Sequence, residues 1–196
     1  MISFTNKNGP GWYMEELARH LDPSLLTHLI EDDNPYVRQV AARRVNQWHL
    51  HKLVEDSSEN VRSVVAMFGG ARLLEKLRKD ESISVRCEVA NRLPPELLVE
   101  LIDDPSALVR AAVVKGVDEK YLPLLAKDPI GVVRCKVAER ADSVLASTMV
   151  LDSNETVVET IVPKLPPKWL SVLMFRNSDE YWVRESVMGE LIKRAI

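Results

Sequence analysis

Asp104-Pro105-Ser106-Ala107-Leu108-Val109-Arg110-Ala111-Ala112-Val113-Val114 decides the reading of this chain, because it is one copy of a unit that recurs along it. Val37-Arg38, Val61-Arg62, Val85-Arg86, Val109-Arg110 and Val133-Arg134 follow one another at a constant step of 24 residues, and Val157-Val158 falls on the next step. A fixed period of this length marks a repeat architecture, in which each unit buries its apolar face only against its neighbours.

Four places after each valine stand Ala41, Val65, Val89, Val113, Val137 and Ile161, and one place further Ala42, Ala66, Ala90, Val114, Ala138 and Val162. Apolar residues at steps of zero, four and five occupy one face of a short helix, and the small last column lets adjacent units approach closely. Leu50, Leu74, Leu98, Leu122, Ala146 and Leu170, each followed three residues later by Leu53, Leu77, Leu101, Leu125, Met149 and Leu173, predict a second short helix. Helix starters precede it in four repeats: Pro94-Pro95, Asp118-Glu119, Asp142-Ser143 and Pro166-Pro167.

An aspartate stands five residues before each valine: Asp32, Asp56, Asp80, Asp104, Asp128 and Asp152. There it is expected to accept from the exposed amides of the following helix. With the arginines Arg38, Arg62, Arg86, Arg110, Arg134 and Arg184 it predicts a ladder of charge-assisted bonds along the stack.

Residues 1–12 lack periodicity and contain the breaker Gly9-Pro10-Gly11, so they read as an irregular lead-in to one repeat domain over 13–196. Within it, 13–36 reads as an amino-terminal capping repeat, with Tyr13 in the valine column and Leu17 and Ala18 after it. Regular repeats fill 37–176, and 177–196 reads as a carboxy-terminal cap. Val183-Arg184 follows Val157 by two residues more than the period, which places an insertion near Phe175–Glu180. Met188, Leu191 and Ile192 are expected to close the core.

A formal charge of -3 argues against a domain devoted to nucleic acid or anionic membrane. No apolar run approaches the ~18 residues of a membrane span, and the first residues lack the order of a secretory signal, so the expectation is a soluble cytoplasmic protein. Cys87 and Cys135 share a column two repeats apart, about 20 Å if packed helices lie roughly 10 Å from each other. Disulfide formation between them is excluded, and both read as buried small apolar residues.

This assembly of valine-arginine, valine-alanine, Pro94-Pro95-Glu96-Leu97-Leu98 and a periodic aspartate resembles the leucine-rich repeat variant family and, more loosely, HEAT-like repeats; Ser84 to Asp104 matches best. The resemblance implies an all-α, right-handed α-solenoid of short paired helices on a 24-residue repeat, one of each pair often of the 3-10 type. One family member carries a cysteine-ligated iron-sulfur module ahead of its repeats. Residues 1–80 contain no cysteine, so that module does not carry over.

No phosphate-binding glycine loop or nucleophile elbow occurs, and the carboxylates sit in the cap column or on polar faces. His49 and His51 project to different sides of a helix, and no cysteine accompanies His20, His28, His49 and His51, so neither a metal site nor a cofactor is expected. Two surfaces remain. Arg44, Arg92, Arg140 and Lys164, supplemented by Lys115 one column earlier, fall on one edge that suits a polyanion. They also stand at the end of the first helix, where cations complement free carbonyls, and Phe68, Gly116 and Glu139 interrupt the row. Trp48 replaces the polar Arg72, Glu96 and Lys120 of its column, beside Arg43, Arg44, His49 and His51; Trp169 falls in an apolar column with Leu73, Leu97 and Tyr121 and reads as core. An exposed tryptophan among cations suits a protein partner. The expectation is a non-catalytic helical-repeat scaffold that binds another protein, with nucleic-acid binding along the basic edge as the alternative.

Overall fold

The computed structural model describes residues 20–176 and 181–195. The lead-in over 1–12, the capping residues Tyr13, Leu17 and Ala18, and the inserted residues expected at 177–180 lie outside them. Among the described residues all regular structure is helical, and the fold is an all-α repeat solenoid. The chain divides into two units, one ending at Leu93 and one starting at Pro94.

The first unit contains α1 (Pro23–Leu29), α2 (Pro35–Ala42), a 3-10 helix (Gln47–Leu53), α3 (Glu59–Phe68), α4 (Ala71–Leu77) and α5 (Ile83–Ala90). Helices α2, α3 and α5 are the first helices of successive repeats and pack side by side, α2 on α3 and α3 on α5. Their shared face is the predicted one: Val61, Val65, Val85 and Val89 are wholly enclosed, and Ala42, Ala66 and Ala90 are nearly so. The second layer contributes Leu50, Leu53, Leu74 and Leu77, all buried.

The second unit runs α6 (Pro95–Leu98), a 3-10 turn (Val99–Leu101), α7 (Ala107–Val114), a 3-10 turn (Glu119–Tyr121), α8 (Leu122–Leu125), α9 (Gly131–Arg140), α10 (Ser143–Thr148), α11 (Glu155–Ile161), a 3-10 turn (Val162–Lys164), α12 (Pro167–Arg176) and α13 (Tyr181–Ala195). Here α7, α9, α11 and α13 form the stack of first helices, again with Val109, Val133, Val157 and Val183 at its centre. Leu98 and Leu101 are buried together although one ends an α-turn and the other a 3-10 turn.

One expectation fails at the carboxy-terminal helix. Met188, Leu191 and Ile192 are exposed, and α13 buries Val183 and Val187 instead. In the regular repeats the column five places after the valine is covered by the following repeat, and nothing among the described residues covers Met188.

Candidate interaction surfaces

The aspartate and arginine columns form a framework of the same geometry in both units. Each aspartate Oδ1 accepts from the amide two residues on, at 2.8 Å: Asn34, Ser58, Ser82, Ser106, Ile130 and Asn154. Those are the residues that precede each first helix, so the aspartate fixes the entry turn and does not cap the helix amides as expected from sequence. The helix amides are capped in α2 and α11 by Asn34 and Asn154, whose side chains accept from Tyr36 and Val157.

Arg38, Arg62, Arg110 and Arg134 then tie their own entry turns to the next repeat. Arg62 donates Nη1 to the carbonyl of Asp56 at 2.7 Å, and its Nε and Nη2 grip Asp80 at 2.7 and 3.0 Å. Arg38 makes the same fork to Asp56, Arg110 to Asp128 and Arg134 to Asp152. The Arg62 and Asp80 side chains are 8% and 6% exposed, so the pair is almost fully desolvated. Burial alone pushes the carboxyls of Asp56, Asp128 and Asp152 up. The guanidinium bond, the turn amide and the arginine charge outweigh it and leave all three below the ordinary aspartate value. Their partners Arg38, Arg110 and Arg134 are pushed further up, chiefly by the same bonds. Arg184 lies on α13 one residue after Val183, exposed.

The predicted basic edge has a geometry of its own. Arg92 donates Nη1 to the carbonyls of Ala66 and Gly69, at 2.7 and 2.8 Å. Arg140 donates to those of Val114 and Val117, and Lys164 to those of Ala138 and Glu139. These carbonyls end the first helix of the preceding repeat. The cations therefore clamp the neighbouring unit's helix terminus, where the macrodipole is negative. The break at Gly116 is steric, since a Cβ there would lie 2.8 Å from Cδ1 of the enclosed Leu98. Gly69, which closes α3, is equally constrained: its Cβ would lie 2.5 Å from the Val65 carbonyl oxygen.

Trp48 stands apart from these frameworks. It is 76% exposed at the start of the 3-10 helix whose Leu50 and Leu53 are buried. Asn46 holds it in place by accepting from the Trp48 amide at 3.2 Å, and His51 donates Nδ1 to the Trp48 carbonyl. Arg43, Arg44 and His51 are exposed and His49 is half-buried, so the structure brings the predicted cluster to the surface together. Trp169, expected in the core, is half-buried, with the Lys168 ammonium 5.8 Å from its ring. In the second unit a groove of about 460 Å³ lies between α8 and α10, floored by Leu122 and Met149; Glu119 and Asp142 on its rim are balanced by Lys127 and Arg140. Among the described residues no three His, Cys, Asp or Glu side chains converge on a metal geometry, and no helix is long and apolar enough to cross a membrane. Cys87 and Cys135, expected to be buried, are half-buried, and at Cys135 the partial burial pushes the thiol up, away from the nucleophilic thiolate.

The family model for the leucine rich repeat variant matches residues 84–106. A solved structure described as a leucine-rich repeat variant with a novel repetitive structural motif superposes with a TM-score of 0.80, at 29% identity, over 88% of this chain and 73% of that one. This chain is similar to the leucine-rich repeat variants in its fold and in that one repeat. A structure of Escherichia coli YibA is similar at a TM-score of 0.54 and 16% identity, over 94% of this chain and 98% of that one, a likeness of fold. No curated protein sequence matches the chain. The leucine-rich repeat variant segment 84–106 holds the framework columns Val85, Arg86, Val89, Ala90 and Asp104, and none of the exposed residues around Trp48. Sequence reading passed over Met67 and took Phe68 for a gap in the basic row. Both are exposed at the end of α3, and Phe68 occupies the column that elsewhere holds the clamping cation.

Proposed function

We propose that this chain is a non-catalytic scaffold that binds another protein through the surface around Trp48. The observation that carries the reading is the exposure of that side chain. A tryptophan left in water on a rigid, Leu-anchored helix keeps a large apolar area available, and such residues are enriched among interface anchors. Arg43 and Arg44 supply the neighbouring cations. The alternative, a nucleic acid tracked along Arg44, Arg92, Lys115, Arg140 and Lys164, is disfavoured because Phe68, Gly116 and Glu139 interrupt the row.

The test is affinity purification of the tagged chain from native lysate beside its Trp48→Ala and Arg44→Glu variants, with and without nuclease. A stoichiometric protein that survives nuclease and is lost with both variants supports the reading. Material that disappears on nuclease treatment, and binding that falls steeply with salt, would establish the basic edge in its place.

A further inference from the structure

Resting on that reading, the structure assigns a partner chemistry to the edge of the first unit: an acidic, amphipathic segment of another protein, carrying carboxylates beside apolar or aromatic side chains. The edge comprises Arg43, Arg44, Trp48, Met67, Phe68 and Arg92, and its continuity follows from the register of the clamp. Arg92 spans the carbonyls of Ala66 and Gly69. Those two residues bracket Met67 and Phe68, so the Arg92 guanidinium lies over the turn that presents them. One repeat earlier, Phe68 takes the column of Arg92, and the turn in the corresponding register is Ala42 to Val45, which contains Arg43 and Arg44. Trp48 follows three residues later, on a 3-10 helix that packs against α3. Guanidinium and apolar side chains therefore alternate across three successive turns.

The charge of the edge selects the occupant. Residues 41–52, 64–74 and 89–93, which carry these turns, contain Arg43, Arg44, Lys52, Arg72 and Arg92 and not one aspartate or glutamate; Glu31 of the preceding repeat reaches Lys52 at 2.7 Å. Trp48 is 76% and Phe68 45% exposed, with Met67 also open to solvent. Apolar side chains between cations that outnumber the neighbouring carboxylate, Glu31, are complementary to a segment that offers both carboxylates and apolar groups; guanidinium binds carboxylate through a planar fork and stacks on aromatic faces. A bare polyanion would leave Trp48, Met67 and Phe68 without apolar contacts. Single-stranded nucleic acid is the competing occupant, because bases also stack on aromatics.

The experiment selects a displayed library of random dodecamer peptides on the immobilised full chain and measures the enriched peptides by fluorescence anisotropy. A fluorescein-labelled 20-nucleotide single strand is titrated in parallel. The same titrations are run on Trp48→Ala, on Phe68→Arg and on the double variant Arg43→Glu/Arg44→Glu, each checked by thermal unfolding. The expected peptides contain both Asp or Glu and aromatic or aliphatic residues, and lose about tenfold or more in affinity on each variant. Enriched peptides without excess carboxylate, or binding that the variants leave unchanged, would overturn the assigned chemistry while leaving a protein-binding scaffold. Enrichment of nothing, together with tight single-strand binding that the variants abolish, would overturn both.

Discussion

In the first unit the residues that close each first helix are Arg43-Arg44, Met67-Phe68 and Asn91-Arg92, whereas in the second the same columns hold Lys115-Gly116, Glu139-Arg140 and Pro163-Lys164. The turns that follow differ as well. Those of the first unit carry no carboxylate, and those of the second contain Asp118, Glu119, Glu139 and Asp142, of which Glu139 is paired with Lys136 and Asp118 with Lys120. Trp48 and Val144 occupy one column and are exposed alike, but Trp48 follows Arg43 and Arg44, whereas Val144 follows Glu139 and Asp142. The valine, aspartate and arginine columns do not differ in this way. A repeat protein can thus hold its frame constant and vary the ends of its first helices, where side chains face water and the frame asks little of them.

The shared frame can be broken in either unit with the same consequence. Arg62→Ala in the first and Arg110→Ala in the second each strand a buried aspartate, 6% and 5% exposed. Each is expected to lower the unfolding free energy in urea by about 3–5 kcal/mol, the usual result of removing one member of a desolvated pair. Arg62→Lys should recover little, since an ammonium cannot reproduce the fork. A loss below 1 kcal/mol in one unit only would show that the ladder carries weight unequally. Acid acts on the same bonds. Asp56, Asp128 and Asp152 hold depressed folded values, so their contribution is complete above the unfolded aspartate value of about 3.9 and is lost as pH falls from there through the folded values. Urea midpoints should be insensitive to these groups at pH 6 and fall below about pH 4; a midpoint unchanged at pH 3 would contradict the ladder's electrostatic role.

A smaller effect separates the two surfaces. Trp48→Ala is expected to weaken the partner by about tenfold or more, and Val144→Ala to leave it unchanged. Both residues are exposed, so neither variant should shift the unfolding free energy by more than about 0.5 kcal/mol. Isothermal titration against the purified partner measures the first quantity and urea titration the second. Equal losses of affinity at Trp48 and Val144 would mean that the interface does not distinguish the units.

The frame was legible in the sequence because burial repeats with the period: a valine every 24 residues, followed by apolar residues four and five places on, admits one helical face. The second helix was legible in position and less so in type. A Leu-x-x-Leu pair lies on one side of an α-turn and is eclipsed in a 3-10 turn, so Leu50 and Leu53 fit a 3-10 helix as well as Leu74 and Leu77 fit α4. The aspartate's true target, one residue short of the helix, depends on turn geometry that the column alone does not specify. Phe68 was hidden by the repeat itself. Set against Arg44 and Arg92 it reads as a defect in a basic row, and its meaning appears only once Arg92 is seen to reach back across Ala66 and Gly69.

That reach makes Phe68 the position at which frame and function can be separated. An arginine there would be aimed at the carbonyls of Ala42 and Val45, as Arg92 is at those of Ala66 and Gly69 and Arg140 at those of Val114 and Val117. A hydrogen bond from a charged donor contributes about 1.5–3 kcal/mol, and ordering an arginine side chain opposes it by up to about 2 kcal/mol. Phe68→Arg should therefore raise the unfolding free energy by about 1 kcal/mol or less while removing an apolar anchor and weakening the partner. The reverse exchange, Arg140→Phe, should destabilise the second unit without giving it affinity, since Trp48 has no aromatic counterpart there. If Phe68 served packing alone, Phe68→Arg would instead lose stability and leave binding intact. A gain in stability joined to a loss of affinity is the expected signature of a residue retained against the interest of the frame, as exposed recognition residues commonly are.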